Sequence, residues 1–372
     1  MLLMARLSSG RHREPPVEPA PADLPAPDEA LVSVILPTLN EAHRIGPCLA
    51  GLAAQGAVLH EVIVVDSGST DATVDLVRNV AAKDTRFRVV HDPPLPDGWV
   101  GKVWALQHGL REARGPWMLG VDADTSPKPG MVAAVVEAAQ VRGLDVVSFS
   151  PRFAGMTSME QWLQPSMLLT LVYRFGAAGQ RQPAPDTVMA NGQCFLARRD
   201  VLLRHGGYEL ARASWADDVT LARALARRGA VVGFLDGSRL FDVRAYNGAA
   251  EMWREWGRSF DLSDATSRGR QWGDVAFITM VQAAPWLVLA LAVTGAIAVT
   301  TFAAKLLVGV SLVLAVLRVL MLFALAASYE TRTAGYWLSP LSDPLAALRL
   351  LLSTLFRPGS WRGRRFKAPS SP

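Results

Sequence analysis

Residues 116–130 read PWMLGVDADTSPKPG. The apolar run Trp117–Val121 stops at Asp122 and Asp124, and a proline-rich turn follows at once. One reading is plain: a strand meets a loop and leaves its acids in solvent. The other is geometric. In extended chain, side chains at i and i+2 point the same way, so the two carboxylates can offer oxygens to one hard cation, Mg²⁺ or Mn²⁺. An ion held by so few carboxylates completes its shell with water and substrate phosphates.

Outward from this stretch the chain keeps alternating. VSVILP (32–37), EVIVVD (61–66), FRVVHD (87–92), WMLGVD (117–122) and DVVSFS (145–150) are short β-branched runs. Between them ATVDLVRNVAAK (72–83) and KVWALQHGLREA (102–113) carry a helical period. This alternation predicts an α/β fold with a mostly parallel central sheet and helices on both faces. Ligands of such sheets bind beyond the carboxyl ends of the strands. Those ends carry Pro37 to Glu41, Asp66 to Asp71, His91-Asp92 and the Asp122/Asp124 pair. A rim of one charge sign calls for a cation. Asp66 either caps its Gly-Ser turn or accepts hydrogen bonds from a base or ribose. Lys102 lies where a Gly-flanked loop enters a helix, a placement that suits a diphosphate; taken alone, a surface lysine is the commoner reading.

Six segments in order, ILPTLNE, VVDSGSTDAT, GKVWALQHGL, VDADT, NGQCFLARRDVLLRHGGY and ADDVTLARALARRG, resemble the inverting glycosyltransferases of family 2, over about residues 31–260. The resemblance implies a GT-A domain, a nucleotide-diphosphate sugar donor (a UDP-sugar is the expected one) and a divalent metal at Asp122 and Asp124. It implies that Asp66 binds the nucleoside, with Pro37 and Glu41 beside it, and that Lys102 serves the donor. The metal would act as a Lewis acid on the leaving diphosphate. The family's usual Glu-Asp pair stands here as Asp217-Asp218, which places the catalytic base at Asp218. Read locally, Ser214-x-x-Asp217 ahead of a helical pattern is also a capping box. Asn191, Gly192 and Gln193 are expected to shape the sugar or acceptor pocket, together with Asp217 and Trp215, where the chain departs from the commoner pattern.

The C-terminal part has another chemistry. No charged residue occurs from Val275 to Ala304, and after Lys305 a second apolar run reaches Tyr329, broken only by Arg318. Each is long enough for a hydrocarbon core of about 30 Å, so spans are expected at about 276–301 and 306–328. A third apolar stretch, 334–356, contains Pro340, Asp343, Pro344 and Arg349 and reads as re-entrant or interfacial. Arginines crowd before the first span and in the 357–372 tail, whereas only Lys305 lies between the spans. The positive-inside rule then puts both the catalytic domain and the tail in the cytoplasm, at the inner membrane. Residues 159–175, apolar almost all round and interrupted by Pro165, are either an interfacial helix or a core helix. Arg268-Gly269-Arg270-Gln271-Trp272 departs from the Q/R-x-x-R-W motif of the polymer-making branch, and with only two spans it points to a single transfer. The layout, closing on WRGRRF, resembles bacterial enzymes that glycosylate carotenoid or hopanoid-type isoprenoids.

Composition agrees. The chain is 50% hydrophobic and only 19% charged. Its net charge of +5 is accounted for by basic residues beside a membrane, so no nucleic-acid partner is expected. Cys48 and Cys194 lack metal-ligand spacing and read as ordinary thiols. Residues 1–30 read as a disordered Pro/Ala/acid-rich lead-in rather than a signal peptide, because their basic residues follow a short apolar run. A nucleotidyltransferase would open on a Gly-rich basic loop, which LPTLNEAHRIG is not. A non-catalytic membrane scaffold would have no need of Asp124 and Asp218.

Overall fold

The structure is a computed structural model that describes residues 13–21, 31–180, 184–244, 246–356, 360–361 and 364–365. In chain order the elements are β1 (Val32–Thr38), α1 (Ile45–Ala53), β2 (Leu59–Asp66), α2 (Thr73–Ala81), β3 (Phe87–His91), α3 (Gly101–Glu112), β4 (Trp117–Val121), β5 (Thr125–Pro127), α4 (Met131–Val141) and β6 (Val146–Ser150). Then follow β7 (Arg152–Phe153), α5 (Ser158–Phe175), β8 (Cys194–Arg198), α6 (Arg199–Arg204), α7 (Asp217–Arg227), β9 (Val232–Asp236), β10 (Phe241–Val243) and α8 (Ala249–Phe260). The chain closes with α9 (Arg268–Ile278), α10 (Ala284–Val293), α11 (Phe302–Leu325), α12 (Ala334–Leu338) and α13 (Asp343–Leu355).

These elements form two compact units. Among the described residues, the α/β unit holds 13–21, 31–152, 178–180, 184–244, 360–361 and 364–365, and the helical unit holds 153–177 and 246–356. The expected boundary at residue 260 therefore moves to about 244, and α5 joins the helices although it is embedded in the α/β sequence.

The α/β unit is built on a seven-stranded sheet of order β3-β2-β1-β4-β8-β6-β9. β1 is parallel to β2 and β4, β2 to β3, and β6 to β9; β8 alone runs antiparallel to its neighbours β4 and β6. The near-continuous apolar strands suit a sheet covered on both faces, and Val34, Ile35, Val62, Ile63, Met118 and Leu119 are all fully buried. Thr38, Asp66 and His91 stand in one row across β1, β2 and β3. The β4–β8 register sets Val121 opposite Cys194. The segment entering β8 from Asn191 thus runs beside the segment leaving β4 at Asp122. Two stretches distant in sequence meet at the sheet's carboxyl edge for this reason.

Part of the expected lead-in is not disordered. Residues 13–21 lie along the α/β unit, where Glu14 N–H donates to Gly179 O at 2.9 Å, Val17 N–H to Asp236 O at 2.8 Å and Ala20 N–H to Gly130 O at 3.3 Å. Gly130 is left-handed at φ 81°, and a Cβ there would meet Ala20 O at 2.2 Å, so the crossing requires glycine. The rest of the 1–30 segment and nearly all of the 357–372 tail lie outside the described residues.

In the helical unit α5 runs unbroken through Pro165 from a capping box, Thr157 with Glu160. The expected interruption is absent. Two helices, Arg268–Val293 and Phe302–Ser328, are long and apolar enough to cross a membrane. The first begins and ends earlier than its hydropathy suggested, because Gly295 at φ 75° follows its last turn. A π-helical turn at Thr279–Ala283 precedes Pro285, where the missing proline N–H disturbs the helical ladder.

Candidate functional site

The site lies at the carboxyl edge of β4. Asp122 and Asp124 stand between the end of β4 and the start of β5. Lys102, in the first turn of α3, reaches across with its Nζ at 2.8 and 2.9 Å from the two oxygens of Asp122. Burial works against the lysine's charge, but Asp122, Asp217 and Asp218 together push its pKa well above the ordinary range.

Asp124 has different neighbours. Arg44 Nη1 stands 4.0 Å from its Oδ2, and Gln193 Nε2 lies 3.5 Å from its Oδ1. Its backbone carbonyl accepts from Arg244 N–H at 3.2 Å. Burial first and Asp122 second push the Asp124 carboxyl up to about 6, with Arg44 and Lys102 pulling the other way. The residues present fit a divalent ion. Two hard carboxylate oxygen sets share one edge, and their mutual repulsion is what a cation relieves. Among the described residues no group of three or more His, Cys, Asp or Glu converges on a metal position. Water and ligand oxygens would have to fill the remaining coordination positions.

Asp218 occupies the first turn of α7. Its Oδ2 accepts from Gly192 N–H at 2.7 Å and its Oδ1 from Val219 N–H at 2.8 Å. Two backbone donors on opposite oxygens fix the carboxylate's plane. Burial, then Asp217, push its pKa up to about 7, against the pull of Lys102 and the two amides. The local capping-box reading fails here: α7 starts at Asp217 itself, Ala216 is the N-cap with no side-chain cap bond, and Ser214 Oγ pairs with Thr220 Oγ1 at 2.8 Å. Asp217 is buried next to Asp218, in the wall of a small cavity with Leu106, Phe195, Tyr208 and Leu221. Trp215 is half-buried just ahead of the helix.

The loop before β8 ties the two acidic stations together. Gly192 lies between them, and a Cβ built there would be 3.0 Å from Lys102 Nζ and 3.7 Å from Asp218 Oδ2. Asn191 N–H donates to Ser148 Oγ at 3.0 Å, Asn191 Oδ1 accepts from Gln193 N–H at 3.0 Å, and Thr125 Oγ1 donates to Gln193 O at 3.3 Å. So Asn191, Gly192 and Gln193 form a braced turn, as their place beside β4 requires.

Asp66 does the local job the sequence allowed. Its Oδ2 accepts from Gly68 and Ser69 N–H at 3.1 and 3.0 Å, the geometry of an Asx turn. His91 Nδ1 stands 3.5 Å from the same oxygen. That turn keeps the carboxylate buried at the strand end, next to Thr38. Pro37 is on β1, the strand next to β4, and stands opposite Val65 of β2. Glu41 is buried and ion-paired with Arg44, Nη2 to Oε1 at 3.2 Å; burial raises its pKa, and Arg44 opposes the rise.

Arg44 is the residue the sequence reading missed. The signal was present: Glu41 and Arg44 are three apart at the entry to α1, the spacing of neighbours on one helical face. Reading Glu41 as a donor contact left its partner, and that partner's reach to Asp124, unexamined.

Comparison with known proteins bears on the fold and the family. Residues 33–206 match the model of glycosyl transferase family 2. The dolichyl-phosphate beta-glucosyltransferase ALG5C of Trichomonas vaginalis is 33% identical over 111 residues, 28% of this chain and 32% of that protein. The undecaprenyl-phosphate 4-deoxy-4-formamido-L-arabinose transferase of Aeromonas hydrophila is 33% identical over 123 residues, 32% of this chain and 36% of that protein. The chain thus spans about a third of the length of the relatives it matches. Among solved structures, the mannosyltransferase PcManGT of Pyrobaculum calidifontis, in complex with GDP-Man and Mn²⁺, aligns at TM-score 0.56 and 21% identity over 95% of this chain and 94% of that one. That likeness concerns the fold. Residues 33–206 are a domain of glycosyl transferase family 2, and the fold around them is GT-A.

Proposed function

We propose that this chain is an inverting glycosyltransferase of the membrane, which moves one sugar from a nucleotide-diphosphate sugar to the hydroxyl of an isoprenoid lipid of the carotenoid or hopanoid type. The observation that carries the reading is Asp218. It is a partly buried carboxylate, aimed by two backbone amides and raised to a pKa of about 7 by desolvation and Asp217, within the same site as the Asp122/Asp124 pair. A base with a pKa near the working pH suits a neutral hydroxyl, whose proton must leave as the new bond forms.

In this mechanism Asp218 holds the acceptor hydroxyl and takes its proton while the oxygen attacks the anomeric carbon from the face opposite the diphosphate. Lys102 offers positive charge to the departing phosphates. Asp66, Pro37 and Glu41 line the donor side, and Asn191, Gly192, Gln193, Trp215 and Asp217 line the sugar and acceptor side. Asp122 and Asp124 would hold Mg²⁺ or Mn²⁺, which supplies charge neutralisation on the diphosphate.

Support for the membrane comes from the two long helices. Only 22% of the best window of each is buried, whereas a core helix of a soluble protein would be mostly covered. Leu306, Val313, Val316, Leu320 and Phe323 of α11 are each 51–64% exposed. Such a continuous apolar surface suits lipid. The positive-inside pattern supports an inner-membrane location with the GT-A domain and tail in the cytoplasm.

A second reading has its own support: two relatives carry names that specify polyprenyl-phosphate chemistry. A lipid phosphate is already deprotonated at neutral pH and needs no base. Membranes containing the chain, given radiolabelled nucleotide sugars and an isoprenoid extract with Mn²⁺ or EDTA, test both. Metal-dependent label on a neutral lipid, lost in Asp218→Asn, supports the hydroxyl acceptor. Label on a polyprenyl phosphate that survives Asp218→Asn replaces it with the second reading.

A further inference from the structure

Beside the apolar core of the helical unit (Met167, Leu169, Met252, Ile278 and Leu350 among its members) lies a buried polar cluster. It holds Ser166, Gln282, Arg318, Ser339, Ser342 and Asp343, each at most 4% exposed, while leucines, valines and Phe323 of α11 face outward. The two charges that fit worst in an apolar segment meet there. Arg318 Nε lies 3.0 and 2.8 Å from the two oxygens of Asp343. Arg318 Nη2 also donates to Ser166 Oγ at 3.0 Å and to Ser339 Oγ at 3.3 Å. Asp343 accepts further from Gln282 Nε2 and Trp286 Nε1, both at 3.1 Å.

The contacts of residues 329–356 trace a path. Tyr329 sits just past the second long helix, which ends at Ser328. Tyr336 then donates its hydroxyl to Leu322 O, and Ser339 and Asp343 reach Arg318, so this part of the chain runs back along α11. Arg318 is ten residues before Ser328, about 15 Å along the helix. There the chain turns away. Asp343, at the start of α13, meets Gln282 and Trp286 of the first long helix, and one helical stretch later Arg349 Nε donates to Trp253 O of α8 at 2.7 Å. A crossing of a core of about 30 Å would have continued along α11 toward Phe302. The outer side of the same segment is apolar: Trp337, Leu338, Leu341, Leu348, Leu355 and Phe356 are 43–68% exposed.

We propose that residues 334–356 dip into one leaflet of the bilayer and return on the side they entered, with that apolar face against lipid and Arg318–Asp343 as the pin that holds the dip. The inference rests on the membrane reading of the chain. The pin explains the composition of the segment. Asp343 and Arg349 forbid a plain span, and each is consumed by a partner inside the unit. Arg318, which would be exposed in hydrocarbon on an isolated helix, is covered by the segment it holds.

The test uses the full chain in sealed membrane vesicles, with Cys48 and Cys194 replaced by alanine and single cysteines introduced by Glu330→Cys, Leu341→Cys and Ser360→Cys. An impermeant maleimide should label the cysteines at 330 and 360 from the same side, and the one at 341 only after detergent. Labelling of 330 and 360 from opposite sides, in a chain that resists carbonate extraction, overturns this inference and leaves the membrane reading standing. A chain released by carbonate overturns both. The pin is tested separately by melting in detergent. Arg318→Met and Asp343→Leu should each lower the melting temperature, and the double variant should lose less than their sum; additive losses overturn the pin.

Discussion

Lys102 grips both oxygens of Asp122, at 2.8 and 2.9 Å, and the same ammonium is among the charges that hold the Asp218 pKa down. One cation therefore serves two acids with different tasks. It balances Asp122, one of the two proposed metal ligands, and tempers the proposed base across Gly192. In the proposed mechanism a donor diphosphate would compete for that ammonium, which would place the lysine between the proposed metal ligands, the leaving group and the proposed base.

Lys102→Met follows directly from this. With the ammonium gone, Asp218 loses a stabiliser of its charged form and its pKa rises. The acid limb of the pH–rate profile should move to higher pH, and donor affinity should weaken by about tenfold, the loss of one charge-assisted contact. A rate loss with an unmoved limb would restrict Lys102 to donor binding.

Asp218 carries its own pH dependence. Its folded pKa of about 7 lies above the ordinary aspartate value of about 3.8, so the folded state holds this proton more tightly than the unfolded chain. The stability it contributes is present at low pH and is lost as pH rises from about 4 to about 7. Activity has the opposite sign, because a base must be deprotonated, and the rate should climb through about pH 7. Asp218→Asn should lower turnover by about 10²–10⁴-fold with donor binding intact, as read by parallel kinetics and donor titration. Normal turnover would dismiss Asp218 as base.

Gly192→Ala probes the spacing between these groups. The added methyl would sit 3.0 Å from Lys102 Nζ, and the lysine must shift by a few tenths of an ångström to receive it. Gly192 is not among the glycines with positive φ, so alanine fits the backbone and the fold should be kept. Misplacements on this scale at a reacting centre can cost up to about 10²-fold. The expected result is a rate loss of about tenfold or more with an unchanged melting temperature; equal losses of both would mean a folding defect instead.

The parts of this molecule that could be read in the sequence are those with local causes. β1 to β4 and β6 announce themselves as β-branched runs, and their acidic ends mark the working edge of the sheet. What was illegible depends on partners far away in the chain. Ser214-x-x-Asp217 has the letters of a capping box, yet the N-cap is Ala216, two residues later, and Ser214 pairs with Thr220 instead, while Asp218 is held by Gly192 from another loop. Residues 13–21 have the composition of a disordered segment, but a glycine at position 130 lets them lie against folded backbone. Arg318 looked like a defect in a span; Asp343, 25 residues on, resolves it.

The close approach of α3 to the sheet gives a prediction about stability. Gly109 faces β1 and β2, and a Cβ there would stand 2.4 Å from Ile35 Cγ2 and 3.1 Å from Val65 Cγ2. Both neighbours are fully buried in the central strands, so neither can step aside without moving the sheet. Alanine would gain about 1 kcal/mol of helix propensity over glycine, while overpacking a tight interior typically costs about 1–3 kcal/mol. The steric loss should win, because the overlap is with branched side chains that have no alternative space. Gly109→Ala should therefore lower the melting temperature by a few degrees, given about 2–4 °C per kcal/mol for a unit of this size. It should also impair transfer, since α3 carries Lys102 two turns upstream. A melting temperature that rises, as propensity alone would give, would show that helix and sheet are not in this contact.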